Sequence, residues 1–273
     1  MRSSFSTRGY AILLSIMTAG IFALLVSGCS GTDEKNVYFE RPVEQLYNDG
    51  MNALEVGEYE AAAKLFDEVE RQHPYSNWAT KSQIMAAYGY YQGNKYDEAL
   101  VALDRFIQLH PSNPDVPYAQ YLKGLIYYEQ ISGVERDQKM TEQAVKALRE
   151  LVTRYPNSKY ARDARLKLDL TYDHLGGKEM DIGRKYLRRG HYLAAINRFR
   201  RVVQQYQTTT HVPEALLRMV ESYLALGIED EARNAAAVLG HNFPGSEWYI
   251  DAYQLIEGKQ IREVEQKPWY KIW

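Results

Sequence analysis

The sequence has little of several features that define whole classes of protein. Its 273 residues include one cysteine, which excludes an internal disulfide. The formal net charge of −2 leaves no excess of Lys and Arg, which argues against a general nucleic-acid binder. After residue 26 no apolar stretch approaches the roughly 20 residues that span a bilayer. With 45% hydrophobic residues and 23 tyrosines, the composition predicts a folded protein with an unexplained surplus of tyrosine.

Catalytic and metal-binding motifs are also missing. The sequence contains no HExxH, CxxC, GxSxG or glycine-rich phosphate loop. Its six histidines have no ligand-spaced partners, and His73 and His110 directly precede prolines where helices are expected to end. We therefore expect neither an enzyme nor a metal or other dissociable cofactor.

The first 28 residues are typical of a secretory signal peptide. Arg2 and Arg8 precede an apolar run over residues 11–26, which is the order of an n-region and an h-region. The run ends in Leu25-Val26-Ser27-Gly28-Cys29, which resembles the bacterial lipoprotein box.

The lipoprotein box gives the single cysteine a function. The resemblance implies that Cys29 becomes the N-terminus and carries a covalent N-acyl and S-diacylglycerol lipid. It also implies that Ser30, in place of aspartate, directs the protein to the outer membrane. A buried or redox-active thiol is the alternative. The polar residues 29–42 would form the lipidated N-terminus and a tether.

Five alanines mark a repeat that begins near residue 43. An apolar residue follows each alanine after four and after seven positions, so the three share one helical face. A proline follows twelve positions after the alanine in four of the five repeats and ends the helix. The alanines are Ala62, Ala99, Ala144, Ala195 and Ala232.

This spacing resembles the tetratricopeptide (TPR) repeat, a helix-turn-helix unit with small residues where its two helices touch. We predict an all-α TPR solenoid of about five repeats, with an insertion near residues 129–140, an extra helix over residues 160–175 and a C-terminal capping helix over residues 246–257. The joints after the closing prolines each offer an N-cap residue to the next helix. The small first-helix position is matched by Gly50, Gly124 and Gly183.

The repeats divide the mature chain into three parts. Residues 43–158 hold repeats one to three, and residues 159–258 hold the extra helix, repeats four and five and the capping helix. Residues 259–273 form a C-terminal tail that ends in Gln266-Lys267-Pro268-Trp269-Tyr270-Lys271-Ile272-Trp273. Three interpretations stay open for this aromatic end: a frayed tail, an occupant of a groove on this or a neighbouring copy, or a segment at the membrane interface.

Basic residues concentrate around the fourth repeat. Residues 159–207 contain twelve bases and five acids. Arginine pairs bidentately with carboxylates, so this region predicts a partner interface, although a solvated helix face would give the same pattern. The candidate interface residues are Arg184, Arg188, Arg189 and Arg198.

Tyrosines outside the repeat positions concentrate in the first three repeats. A tyrosine combines a flat apolar ring with a hydrogen-bonding tip, which suits recognition of aromatic-rich peptides. Packing between repeats is the alternative. An arginine on the same repeats is expected to bind a terminal carboxylate. The candidate groove residues are Tyr75, Tyr88, Tyr91, Arg105, Tyr118 and Tyr121.

Several strings together resemble the BamD family of TPR lipoproteins of the outer-membrane β-barrel assembly machinery. They combine the lipoprotein box and five TPRs with Leu103-Asp104-Arg105-Phe106-Ile107, Arg154-Tyr155-Pro156-Asn157-Ser158 and Ala195-Ile196-Asn197-Arg198-Phe199. The resemblance covers the chain from Cys29 to about Ser246.

The resemblance implies a non-enzymatic component that is anchored by lipid to the periplasmic face of the outer membrane. Its partners would be the POTRA domains of the barrel-inserting BamA-type subunit, other Bam lipoproteins and unfolded outer-membrane proteins, with no nucleic acid. The C-terminal half of this chain would dock the POTRA domain, with Arg198 as the leading ion-pairing residue, and the N-terminal repeats would receive the substrate's C-terminal signal. A peptidoglycan-associated TPR lipoprotein in envelope maintenance or DNA uptake is the alternative.

Overall fold

Helices account for all of the regular structure in residues 40–258, the part of the chain that the computed structural model describes. The signal peptide, Cys29 and the C-terminal tail lie outside these residues. The eleven helices are α1 Val43–Glu55, α2 Tyr59–Gln72, α3 Asn77–Gln92, α4 Tyr96–Leu109, α5 Val116–Glu129, α6 Lys139–Arg154, α7 Ala161–Arg188, α8 Tyr192–Gln205, α9 Val212–Ala225, α10 Glu229–Asn242 and α11 Glu247–Ile256.

The helices form the five predicted helix-turn-helix pairs, from α1 with α2 to α9 with α10. Four of the pairs are joined by three-residue connections, and each connection holds one residue in the left-handed region, five positions before the repeat's alanine. Glycine adopts this conformation without strain and asparagine tolerates it. The residues, with φ between 57° and 82°, are Gly57, Asn94, Gly190 and Gly227.

The alanine repeat is confirmed as the core of the solenoid. All five alanines are completely buried, and the residues four and seven positions later are at most 6% exposed. Most of those later residues are Phe, Leu or Val, and burial of each such side chain contributes about 2 kcal/mol. The largest buried cluster runs from Met180 in α7 to Ala252 in α11, so α11 covers the end of the solenoid as the predicted capping helix.

The three predicted glycines lie where the helices of a pair approach most closely. A Cβ placed on Gly50 would lie 2.8 Å from Cε1 of Phe66, and one on Gly183 would lie 2.5 Å from Cε1 of Phe199. On Gly124 it would lie 2.7 Å from Cδ2 of Leu148. These distances are too short for a carbon contact, so the large side chain of the second helix occupies the space that a side chain would need.

The third pair has the predicted insertion, because α5 ends at Glu129 and α6 begins at Lys139. The separate helix predicted over residues 160–175 is wrong: α7 is one helix of 28 residues that continues through Gly176 and Gly177. An interior glycine costs only about 1 kcal/mol relative to alanine, too little to end a helix that packs along its length. A Cβ on either glycine would lie 3.2–3.3 Å from the His211 ring. The missing side chains therefore leave room for the α8–α9 connection to pack against α7.

Two of the four predicted N-caps are confirmed. The hydroxyl of Ser76 accepts a hydrogen bond from the backbone N–H of Ala79 at 3.1 Å, and Ser246 accepts one from Tyr249 at 3.2 Å. The caps predicted after Pro111 and Pro156 are wrong, since α5 and α7 begin further along and have no side-chain cap. No helix within residues 40–258 is both long and apolar enough to cross a membrane.

Replacing Gly183 with alanine should destabilise the fourth repeat, because the new methyl group overlaps the Phe199 ring. We expect Gly183→Ala to lower the free energy of unfolding by about 1–3 kcal/mol, measured by urea denaturation. Gly133→Ala is the matched control, since a Cβ there meets no atom within 4 Å. Equal stability of the two variants would contradict the proposed close approach.

Candidate partner-binding surfaces

Six tyrosines on three successive pairs form two groups of three rings, and we call the six together the tyrosine row. The rings of Tyr88 and Tyr91 lie 6.4 Å apart, and Tyr91 lies 6.2 Å from Tyr96. Tyr160 stacks on Tyr121 at 5.2 Å with 19° between the ring planes, and it lies 5.3 Å from Tyr118. The members are Tyr88 and Tyr91 of α3, Tyr96 of α4, Tyr118 and Tyr121 of α5, and Tyr160 just before α7.

Carboxylates hold the hydroxyl ends of the row. Tyr91 donates a hydrogen bond of 2.6 Å to Glu129, and Tyr96 donates one of 3.3 Å to the other oxygen of the same carboxylate. Tyr121 donates one of 2.6 Å to Asp163, which also accepts one of 2.8 Å from the Lys167 ammonium. These bonds tie α3 and α4 to α5, and α5 to α7.

Burial and these partners shift several pKa values. Burial and then the hydrogen bond to Glu129 raise the pKa of Tyr91, and burial and then the bond to Asp163 raise that of Tyr121. The hydrogen bond from Lys167, followed by that from Tyr121, lowers the pKa of Asp163. Burial, with smaller effects from Tyr88 and Tyr160, raises the pKa of Tyr118 to about 12. These shifts keep the phenols of Tyr91, Tyr118 and Tyr121 protonated and the carboxylate of Asp163 ionised at physiological pH.

The structure brings together four of the six residues predicted for the groove: Tyr88, Tyr91, Tyr118 and Tyr121. Tyr75 stands apart, fully exposed before α3. Arg105 also stands apart, because its guanidinium pairs with Glu70 in a separate groove between α2 and α4.

Sequence reasoning missed two members of the row. Tyr96 stands at a repeat position, and Tyr160 belongs to the boundary of a helix that was predicted incorrectly. The sequence does contain one signal for the row. Tyr88 and Tyr91 are three residues apart, as are Tyr118 and Tyr121, and each pair lies on the first helix of its repeat, α3 or α5.

Of the predicted interface arginines, Arg184 has a carboxylate partner within the chain. It donates to both oxygens of Glu214, with 2.8 Å from Nε to Oε1, and so ties α7 to α9. Burial opposes ionisation of Glu214 most strongly, but the hydrogen bond and charge of Arg184, helped by Arg218, outweigh it and hold the pKa of Glu214 below its usual range.

Arg198 also has an internal partner. The carboxylate of Glu179 is 8% exposed and accepts hydrogen bonds from Arg198 at 3.0 Å and from Arg201 at 2.8 Å. Two arginines of α8 thus neutralise one buried acid of α7. A glutamate at position 198 would therefore repel Glu179, so charge reversal there perturbs the fold as well as any interface.

Arg188 and Arg189, at the end of α7, are exposed and form no ion pair within residues 40–258. They are the predicted interface residues whose charge is not paired with a carboxylate of the described residues. Within the same described residues, no three His, Cys, Asp or Glu side chains are grouped to hold a metal ion.

Comparison with known proteins points to one family. The family model described as YfiO, outer membrane lipoprotein, matches residues 40–239. A Caulobacter vibrioides protein named outer membrane protein assembly factor BamD is 53% identical over 248 residues, which cover 90% of this chain and 81% of that protein. A Rickettsia prowazekii protein of the same name is 44% identical over 240 residues, covering 88% and 95%.

Solved structures show weaker likeness. The chain is similar to MamA, with 16% identity, a TM-score of 0.37 and coverage of 73% of this chain and 90% of that one. It is also similar to a TPR protein of Thermus thermophilus, with 18% identity, a TM-score of 0.37 and coverage of 80% and 98%.

The pKa of Tyr118 predicts an alkaline stability loss. The folded state keeps this phenol protonated to about pH 12, whereas the unfolded chain ionises near 10. The stabilising effect is complete below pH 10 and is lost as the pH rises from 10 to 12. In Tyr118→Phe this loss should be smaller, as measured by urea denaturation across that range. Tyr75→Phe, which removes an exposed hydroxyl, is the control; the same alkaline profile in both variants would contradict the assignment.

Proposed function

The chain belongs to the BamD (YfiO) family of outer membrane protein assembly factors, and from this premise we propose how its two surfaces serve that assembly. It is a non-catalytic scaffold. The tyrosine row receives the aromatic-ended C-terminal signal of an unfolded outer-membrane protein. The arginine-rich region around α7 and α8 docks the POTRA domains of a BamA-type subunit.

The tyrosine row is the observation that carries the proposal. Half-buried rings at 5–6 Å separations offer faces and edges to an aromatic side chain, and each such pair contributes about 0.5–1.5 kcal/mol beyond area burial. Glu129 and Asp163 can accept backbone N–H groups of an extended peptide. Lys167, whose ammonium pairs with Asp163 at 2.8 Å and lies 5.7 Å from the ring centre of Tyr128, is the cation that we propose for the peptide's terminal carboxylate.

Lys167 therefore takes the role that the sequence suggested for Arg105, which lies in the other groove. A lysine ammonium is a compact point charge, unlike the planar guanidinium of arginine. It is therefore expected to bind a single carboxylate without bidentate geometry.

The POTRA-binding surface is centred on Arg188 and Arg189. Arg184 lies one turn earlier on α7 and Arg198 lies on α8, and their internal pairs with Glu214 and Glu179 orient both side chains. Arg198 keeps about a third of its side chain exposed and uses one nitrogen for Glu179, which leaves further N–H donors for a partner's carboxylate.

Membrane attachment is the third part of the proposal. Cys29, which lies outside the described residues, would carry the N-acyl and S-diacylglycerol lipid and hold the protein at the periplasmic face of the outer membrane. More than one acyl chain is needed for stable anchoring. Residues 29–42 would tether the solenoid within reach of the other Bam lipoproteins.

A fluorescent peptide with a C-terminal phenylalanine tests the substrate surface. Tyr121→Ala should weaken its binding about three- to tenfold, because one stacked ring and one ordered carboxylate are lost. Fluorescence anisotropy measures the Kd. Tyr75→Ala is the matched control because it removes an exposed tyrosine outside the row. Equal affinities of the two variants would place the signal elsewhere.

Charge reversal at Arg188 and Arg189 tests the docking surface. Arg188→Glu/Arg189→Glu should weaken binding to purified POTRA fragments about tenfold and leave the melting temperature unchanged, since neither side chain is paired inside the described chain. The control reverses two exposed bases elsewhere, Lys146→Glu/Arg162→Glu. Retention on purified murein, with no binding to POTRA fragments, would favour the peptidoglycan-associated alternative.

A further inference from the structure

The groove between α2 and α4 is separate from both proposed surfaces. It has a volume of about 670 Å³, and none of the tyrosine row lines it. Its apolar lining comes from Pro74, Val101 and Ala102, and Val101 leaves 70% of its surface uncovered. A valine this exposed in a groove offers contact area to another chain.

Four carboxylates line the same groove: Asp67, Glu70, Asp97 and Glu98. Asp67 accepts a 2.5 Å hydrogen bond from Tyr90, while Glu70 pairs with Arg105 and accepts a 2.7 Å hydrogen bond from Gln83.

Asp97 and Glu98, in the first turn of α4, form no ion pair or side-chain hydrogen bond within residues 40–258. Two of the four acids are therefore available to an incoming base.

The groove residues of α4 are ordered along one helical face. Asp97 and Glu98 come first, Val101 and Ala102 one turn later, and Arg105 with its partner Glu70 one turn beyond. At 1.5 Å rise per residue, Asp97 and Glu98 are about 10–12 Å along α4 from Arg105, with the apolar level between them. The groove thus presents two unpaired acids, an apolar surface and the Glu70–Arg105 ion pair in sequence, with Arg71 also in its lining.

The last seven residues of this chain carry the complementary order. In Lys267-Pro268-Trp269-Tyr270-Lys271-Ile272-Trp273 the two bases flank a tryptophan, and there is no acidic side chain. In an extended peptide residues 267, 269 and 271 face the same way, and the two lysines are about 13 Å apart.

We propose that the α2–α4 groove binds the C-terminal segment of this polypeptide, residues 267–273. Lys267 lies at Asp97 and Glu98, Trp269 covers Val101, and Lys271 shares the carboxylate of Glu70 with Arg105.

Charge favours this groove over the tyrosine row as the site for the tail, because Asp97 and Glu98 have no ion pair or side-chain hydrogen bond within residues 40–258. Both carboxylates of the row already accept hydrogen bonds, from Tyr91, Tyr121 and Lys167 among others. The inference does not depend on the tyrosine row binding substrate.

A labelled peptide with the sequence of residues 262–273 tests the proposal. It is titrated by fluorescence anisotropy into the chain that lacks residues 267–273. We expect saturable binding that Val101→Lys weakens at least tenfold, because the lysine repels both peptide bases and removes the apolar contact. Leu109→Lys is the matched control, since Leu109 is 59% exposed on the same helix but outside the groove. Thermal denaturation checks that both variants fold.

Two further measurements complete the test. The peptide carrying Lys267→Glu and Lys271→Glu should bind at least tenfold more weakly, and the intact chain should bind the unmodified peptide more weakly than the truncated one because its own tail competes. The proposal is overturned if the peptide does not bind, if Val101→Lys and Leu109→Lys act alike, or if Tyr121→Ala abolishes binding that Val101→Lys leaves intact. The last result would assign the tail to the tyrosine row.

Discussion

Three of the five repeats depend on the contact between the bare backbone at a glycine of the first helix and a large apolar side chain of the second helix. Phe66, Leu148 and Phe199 fill space over Gly50, Gly124 and Gly183, and a buried alanine four residues earlier lets the same two helices pack closely. Because the core is only one such layer thick, every repeat must bury its face against the next, and α11 has to cover the last one. The close packing also leaves the remaining faces of the helices for binding.

The division between packed and exposed helix faces explains how the two proposed binding surfaces arise. The tyrosine row draws its rings from three successive pairs, so it exists only when those pairs stack in register. The ion pairs of the C-terminal half stabilise the packing of helices. Glu179 of α7 pairs with two arginines of α8, and Glu214 of α9 pairs with Arg184 of α7, so these arginine charges are partly neutralised within the fold. Arg188 and Arg189 remain exposed because they stand at the end of α7, beyond those acids.

Much of the fold was predictable because its signals are local and periodic. The five alanines, the closing prolines and the insertion before α6 all follow from spacing along the chain. The continuity of α7 was not predictable, since Gly176 and Gly177 resemble a helix end until His211, more than thirty residues later, is seen to pack against them. The caps after Pro111 and Pro156 failed for a related reason, because the start of the next helix is determined by how it packs on its neighbours.

The sequence by itself determined the repeat, the helix pairs, the signal-peptide pattern and the family resemblance, because each is written in residue types at fixed short separations. Only the tertiary structure decided which tyrosines share a surface, that Arg105 belongs to a different groove, and which arginines already have a carboxylate partner. Those facts depend on distances between residues that are far apart along the chain, such as Tyr121 and Asp163, 42 positions apart, or Arg198 and Glu179, 19 positions apart. Such distances follow from how the pairs stack, which no local pattern encodes.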